Sequence, residues 1–248
     1  MNLTERERAE NREAIAAMTL LQKLEYIFEY YKFPLVLALI AAVALGSVLY
    51  YRLTRKDALL YVAYANISVG DTLASELEEG FVRFAGANPG KAEVRTYRNL
   101  YLSRDASVQN HEYAYASQLK VMASMANGQL DLLLMNREAY DILSAGGYLL
   151  PLEGFLGDSL CGRLSGRIVE NTVILEDNDI EHRLDERIPY RAETETVPNG
   201  ILISAFPLFE HAGFSGDVFL GVVGNSVRRE VILQYIDYLT SQSEAGAA

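Results

Sequence analysis

The side chains that could hold a metal or supply a nucleophile are few: His111, His182, His211 and Cys161. Each histidine has a glutamate as its immediate neighbour, at Glu112, Glu181 and Glu210. Adjacent residues on a helix point apart, so none of these pairs has the spacing of metal ligands. A single cysteine forms neither an internal disulfide nor a multi-cysteine metal site, and no His or Lys beside Cys161 activates it. No serine occupies a glycine-flanked strand-to-helix turn, and no phosphate-cradling glycine loop occurs. Neighbouring carboxylates such as Glu78 and Glu79 read as a solvated face. Catalytic residues, metals and cofactors are therefore expected to be none, and an enzyme is not expected.

Binding chemistry is the better prospect. In open α/β sheets ligands sit beyond the carboxyl ends of the strands. The ends read from this sequence carry Asn66, Ser68 and Asp71, then Tyr101 and Ser103, then Asn136. Asn225 and Ser226 open the last helix, whose free N–H groups could receive an anion. His111, Tyr113 and Tyr115, in NHEYAYASQL, stand at a helix start where aromatics could stack on a flat ligand. Together they make a rim suited to a small polar solute. The bland alternative stays open: Asp71, Asn136 and Ser226 are also helix-capping types, and the tyrosines are also ordinary packing residues with wet hydroxyls.

These positions depend on the elements around them. ALLYVAYANI (58–67) reads as a buried strand, followed by a turn whose Asp71 can cap a helix. In that helix Leu73, Leu77, Phe81 and Phe84 fall on one face. Asn88-Pro89-Gly90 ends it and a strand follows at 93–102. Asn110 opens a helix that Gly128 stops, and 129–135 (QLDLLLM) is a third strand. Asn136 caps the next helix, closed by Gly146 and Gly147. This alternation predicts an α/β domain with a mostly parallel sheet covered on both faces. Residues 158–199 are polar and read as an insertion or a rudimentary second lobe. Strands at 200–205 and 217–223 precede a last helix, and residues 242–248 read as a frayed tail.

Ahead of this domain, FPLVLALIAAVALGSVLYY (33–51) runs for 19 residues without a charge. Such a run suffices to cross a bilayer, and Tyr30, Tyr31, Tyr50 and Tyr51 match interfacial aromatic belts. A single transmembrane helix is expected at 33–51. Residues 1–32 read as an amphipathic cytoplasmic lead-in helix with Leu20, Leu21, Leu24, Ile27, Phe28 and Tyr31 on one face. It would lie at the headgroups or on a partner helix, or simply extend the span. Flanking charges nearly tie, so they do not fix the orientation. From Asp57 onward 14 Lys and Arg face 27 Asp and Glu, which removes the basic footprint nucleic acid requires.

Two stretches carry a resemblance: MANGQLDLLLMNREAYDILSAGGYLLPLEGFL (125–156) and GDVFLGVVGNSVRREVILQYIDYLTS (216–241). They resemble the type II extracytoplasmic solute-binding proteins, the receptors of ABC importers. The resemblance implies one lobe of that fold over 57–241, tethered to the cell membrane and serving an ABC transporter or sensor. The family has two lobes with a ligand cleft between them, whereas 158–199 is short for a lobe. The Tyr-rich lead-in, the span and LYVAYANISVGD are also similar to single-pass proteins of Gram-positive bacteria. That similarity implies a cytoplasmic N-terminus and an extracytoplasmic C-terminal domain. The expected partners are the lipid bilayer, membrane protein subunits and a small polar solute. The alternative is a non-enzymatic interaction module that has lost its ligand cleft.

Overall fold

The structure is a computed structural model describing Thr19 and residues 32–105, 110–185, 187–210 and 212–245, with the side chains of Lys32, Leu35, Leu53 and 242–245 outside the description. The lead-in segment, apart from Thr19 and Lys32, lies outside the described residues, as do His211 and 246–248. The chain divides into two units, Met1–Arg55 and Lys56–Ala248.

In the first unit, α1 (Lys32–Thr54) is a 23-residue helix. Its apolar side chains are exposed, among them Leu37 at 68% and Leu45 at 71%. Val36, Leu37, Leu39, Ile40, Val43, Leu45, Val48 and Leu49 surround the axis on every side, so the helix has no polar face. Among residues with described side chains no helix is long and apolar enough to cross a membrane.

The second unit is built on a six-stranded sheet ordered β2-β1-β3-β6-β5-β4. The strands are β1 (Asp57–Ala65), β2 (Ala92–Leu100), β3 (Leu132–Met135), β4 (Ile168–Asp177), β5 (Ala192–Leu202) and β6 (Phe219–Val222). β1 pairs in parallel with β2 and with β3, the latter from Val62 opposite Leu132 to Ala65 opposite Met135. β6 then runs antiparallel to β3 and to β5, and β4 antiparallel to β5. The fold is thus mixed α/β, and the parallel expectation holds only for β2-β1-β3. The reason lies in the connection. β5 ends where β6 begins, joined by a link carrying only the four-residue α8 (Pro207–Glu210). A parallel return would need a full crossover.

Strand alternation divides the core between two faces. Leu60, Val62, Tyr64, Leu132, Leu134 and Val222 pack with Leu77 and Phe81 and with Ile232, Tyr235 and Leu239 of the final helix α9 (Arg229–Ala245). Ala63, Ala65, Leu133, Met135 and Phe219 pack instead under α4 (His111–Ala126) and α5 (Arg137–Ala145). Helices on both faces leave little room for polar side chains in these strands, which explains their apolar runs.

The helix expected after β1 is interrupted. It comprises α2 (Asp71–Ser75), a π-turn (Glu76–Gly80) and α3 (Phe81–Phe84). Leu73, Leu77 and Phe81 are buried, while Phe84 is exposed at the end, 5.2 Å from the Tyr238 ring. In this turn the Glu76 carbonyl accepts the Tyr238 hydroxyl at 2.9 Å. A Cβ at Gly80 would collide with that hydroxyl, so glycine permits the approach.

Residues 158–199 form no second lobe. After the short α6 (Asp158–Arg163), β4 and β5 make a long two-stranded ribbon whose far end carries α7 (Asp179–Leu184). Only its base joins the sheet, through Ile201 opposite Leu220 and Leu202 opposite Phe219. A buried polar chain pins that base to α5. The Tyr140 hydroxyl lies 3.0 Å from Val169 O and 2.8 Å from Asn199 Oδ1. Asn199 Nδ2 donates to Ser144 Oγ at 2.8 Å, and Ser144 Oγ donates to Thr172 O at 3.1 Å. Gly200 leaves space for the Tyr140 ring, which a Cβ there would strike.

Candidate functional site

β1 ends at Asn66, which turns the chain in the left-handed region, at φ 57. Asparagine tolerates that region better than most residues, because its short amide can bond locally. Here the amide bonds across the sheet: Asn66 Nδ2 donates to Leu102 O and Asn66 Oδ1 accepts Leu102 N, both at 2.7 Å. The two strand ends are thereby clamped side by side. Next to them, Asn136 Oδ1 accepts Ala139 N at 3.0 Å and caps α5.

Two clefts open on this carboxyl edge, where the strand order reverses on either side of β1. One, of ≈ 360 Å³, lies between Asn66, Ser68, Asn136, Arg137 and the loop around Phe214 and Asp217. The other, of ≈ 400 Å³, lies between Asn66, Ser68, Tyr101, Tyr113 and Asn136. Reversal points of this kind are where open α/β sheets take ligands. Of the positions singled out in the sequence, Asn66, Ser68, Tyr101, Tyr113 and Asn136 meet here. The Tyr113 hydroxyl donates to Asn99 O, which fixes its ring beside the second cleft.

Asp71 lines a separate cleft of ≈ 320 Å³ beside Leu208 and Ala212, and the other positions are elsewhere. Ser103 Oγ accepts Asp105 N at 3.2 Å within its own turn. His111 is exposed at the start of α4. Asp71 is not a cap: Gly70 occupies that position and Asp71 is the first helical residue, 3.9 Å from Arg98. Tyr115 is exposed on α4 and lines neither cleft. Arg137, Glu138, Ile67, Asn99, Leu100 and the 213–218 loop are cleft residues that the sequence reading missed. Arg137 is held by Asp141 at 2.9 Å, an i,i+4 pair visible in the sequence once the cap at Asn136 is located. The loop gave no such signal.

Asn225 and Ser226 lie at the opposite, amino edge, because β6 runs against β3 and delivers its tail there. Asn225 Nδ2 donates to Met125 O at 2.8 Å. Ser226 Oγ donates to Asp131 Oδ1 at 2.5 Å. Asp131, fully buried, also accepts Tyr61 N at 2.9 Å and Arg228 Nη1 at 3.2 Å. The Arg228 guanidinium stacks 4.8 Å over the Tyr61 ring and bonds Gly128 O at 3.0 Å. Every partner that a buried carboxylate needs is supplied from within the fold.

Burial raises the phenol pKa of Tyr64, Tyr140 and Tyr235, and pushes that of Tyr238 up to about 12. These rings remain neutral packing and hydrogen-bonding groups at physiological pH. The carboxyl-edge clefts present amides, hydroxyls, the Arg137 guanidinium and the carboxylates of Asp217 and Glu138, a set that can bind polar solutes by hydrogen bonds. No metal-holding group of three His, Cys, Asp or Glu occurs among the described residues. No protein-family model, curated protein or solved structure matches this chain.

Proposed function

We propose that the protein is a membrane-anchored, non-enzymatic interaction module, a single α/β lobe that docks to another membrane protein. The observation carrying this reading is the form of 158–199. A receptor that closes on its ligand needs a facing lobe. This region is instead a ribbon, and it contributes no lining residue to either carboxyl-edge cleft. The likeness to one lobe of a type II solute-binding protein is retained in this reading, and the clamshell action is not.

The anchor rests on α1. A 23-residue helix is about 34 Å long, enough for a hydrocarbon core of about 30 Å. In sequence 33–51 is uncharged throughout, and the described apolar side chains surround the helix axis. In water such a helix would expose a large apolar area, and lipid removes that penalty. In this reading the N-terminus is cytoplasmic and the domain outside, as the likeness to single-pass proteins of Gram-positive bacteria implies. Purification of the full chain from membranes in mild detergent tests the module: a stoichiometric membrane-protein partner is expected, and none at any detergent strength would sink it.

A second reading has its own support in the carboxyl-edge clefts: a receptor for a small polar solute, feeding an ABC transporter or sensor. Calorimetric titration with amino acids, sugars and small carboxylates checks it. Binding abolished by Ser68→Ala or Arg137→Ala would favour the receptor over the docking module.

A further inference from the structure

We infer that the far end of the β4–β5 ribbon is the docking surface, and that its partner is a protein segment of net positive charge carrying exposed apolar side chains. This inference rests on the interaction-module reading and adds where the partner sits and what chemistry it has. Five large apolar side chains are exposed over 175–190: Leu175 at 57%, Ile180 and Leu184 at 76% and 83%, and Ile188 and Tyr190 at 37% and 47%. Ile180 and Leu184 are four residues apart and so share one side of α7. Leu175 stands where the β4–β5 register slips between Ile174 and Glu176, a bulge that turns its side chain out of the regular alternation.

Around this apolar centre the charge is one-sided. A concavity of ≈ 880 Å³ is lined by Ile180 together with Glu176, Asp177, Glu181 and Glu193, with Arg191 as its cation. Arg183 and Arg187 are occupied by Asp179 at 3.0 Å and Asp185 at 2.9 Å. Among the described residues Glu176, Glu181, Glu193 and Glu195 have no ion pair within 4.0 Å. Glu176 and Glu193 are direct register partners across the ribbon. Like charges opposite one another destabilise a strand pair, and this pair is relieved when a cation lies between them. An apolar centre ringed by uncompensated charge has the anatomy of a protein interface.

The same charges exclude other occupants. An anionic membrane surface would repel the tip. A second copy brings the same acidic surface, since acids outnumber bases 27 to 14 from Asp57 onward. A metal would need converging carboxylates, and no such group exists among the described residues.

The test measures binding of a labelled amphipathic Lys/Leu helical peptide to the full chain in detergent, with a Glu/Leu peptide as control. Binding is expected for the Lys/Leu peptide alone, weakening as salt rises. Ile180→Ser with Leu184→Ser, both exposed, should leave the melting curve unchanged and weaken binding roughly tenfold or more. Glu176→Gln with Glu193→Gln should weaken binding and flatten its salt dependence. Equal binding by the wild type and both double variants would overturn the inference. So would self-association of the chain that the Ser variant abolishes, which would make the occupant a second copy. The Ser variant in the detergent purification separates the two levels. A partner retained there leaves the module standing and removes the ribbon, while no partner for either chain removes the module itself.

Discussion

The two edges of the sheet carry similar residues and use them differently. At the amino edge Asp131, Ser226, Arg228 and Asn225 bond to one another or to backbone carbonyls, and the carboxylate is fully buried. At the carboxyl edge Ser68, Arg137 and Tyr101 border open clefts. Asn66 belongs to both worlds: its amide clamps β1 to the end of β2 while its residue lines the clefts. A polar residue at a strand end is therefore ambiguous by type alone. What separates structure from site is whether the fold itself satisfies the group.

Asp131→Ala should break the amino edge hardest. It strands the Tyr61 N–H and the Arg228 cation, and a loss of about 3 kcal/mol is expected in urea unfolding. Asn66→Ala should cost about 2 kcal/mol, from two lost bonds to Leu102 and a side chain strained at positive φ. Asn66→Gly should recover the strain part, and a gap between the two variants measures it.

Alkaline titration tests the core between the edges. Tyr64, Tyr140, Tyr235 and Tyr238 have folded pKa values raised above the ordinary 10.0, chiefly by burial. A raised folded pKa gives stability that is full below the unfolded pKa and is lost as pH rises through the folded one. Stability should be level below pH about 10, then fall by about 1.4 kcal/mol per pH unit for each buried phenol. Tyr238→Phe should shallow that slope between pH 10 and about 12. Smaller still, Arg137→Ala should cost about 1 kcal/mol by removing its guanidinium from over the Tyr140 and Phe219 rings, and Ser68→Ala should change stability by less than about 0.5 kcal/mol. A larger loss in either would make the carboxyl edge structural too.

Much of this was legible in the sequence. Leu73, Leu77 and Phe81 at steps of four announced a buried helix face, Asn136 announced a cap, and apolar runs announced strands covered on both sides. The π-turn was not legible, since a spacing of four suits either helix type. Nor was the reversal of β6, which depends on the link after β5 staying at one edge. The ribbon reads in the sequence only as a polar insertion or a rudimentary second lobe, since its outer residues are polar and pair only with each other. The Asp131 cluster joins residues nearly a hundred positions apart, and no local pattern signals such a meeting.

The parallel trio β2-β1-β3 has a mechanical consequence. β1 lies in the interior of the sheet, and both of its neighbours run parallel to it. A pull along β1 therefore shears two ladders of hydrogen bonds together rather than peeling them one at a time. Beyond its base the outer β4–β5 ribbon pairs only with itself, so a pull on its far end meets a single ladder.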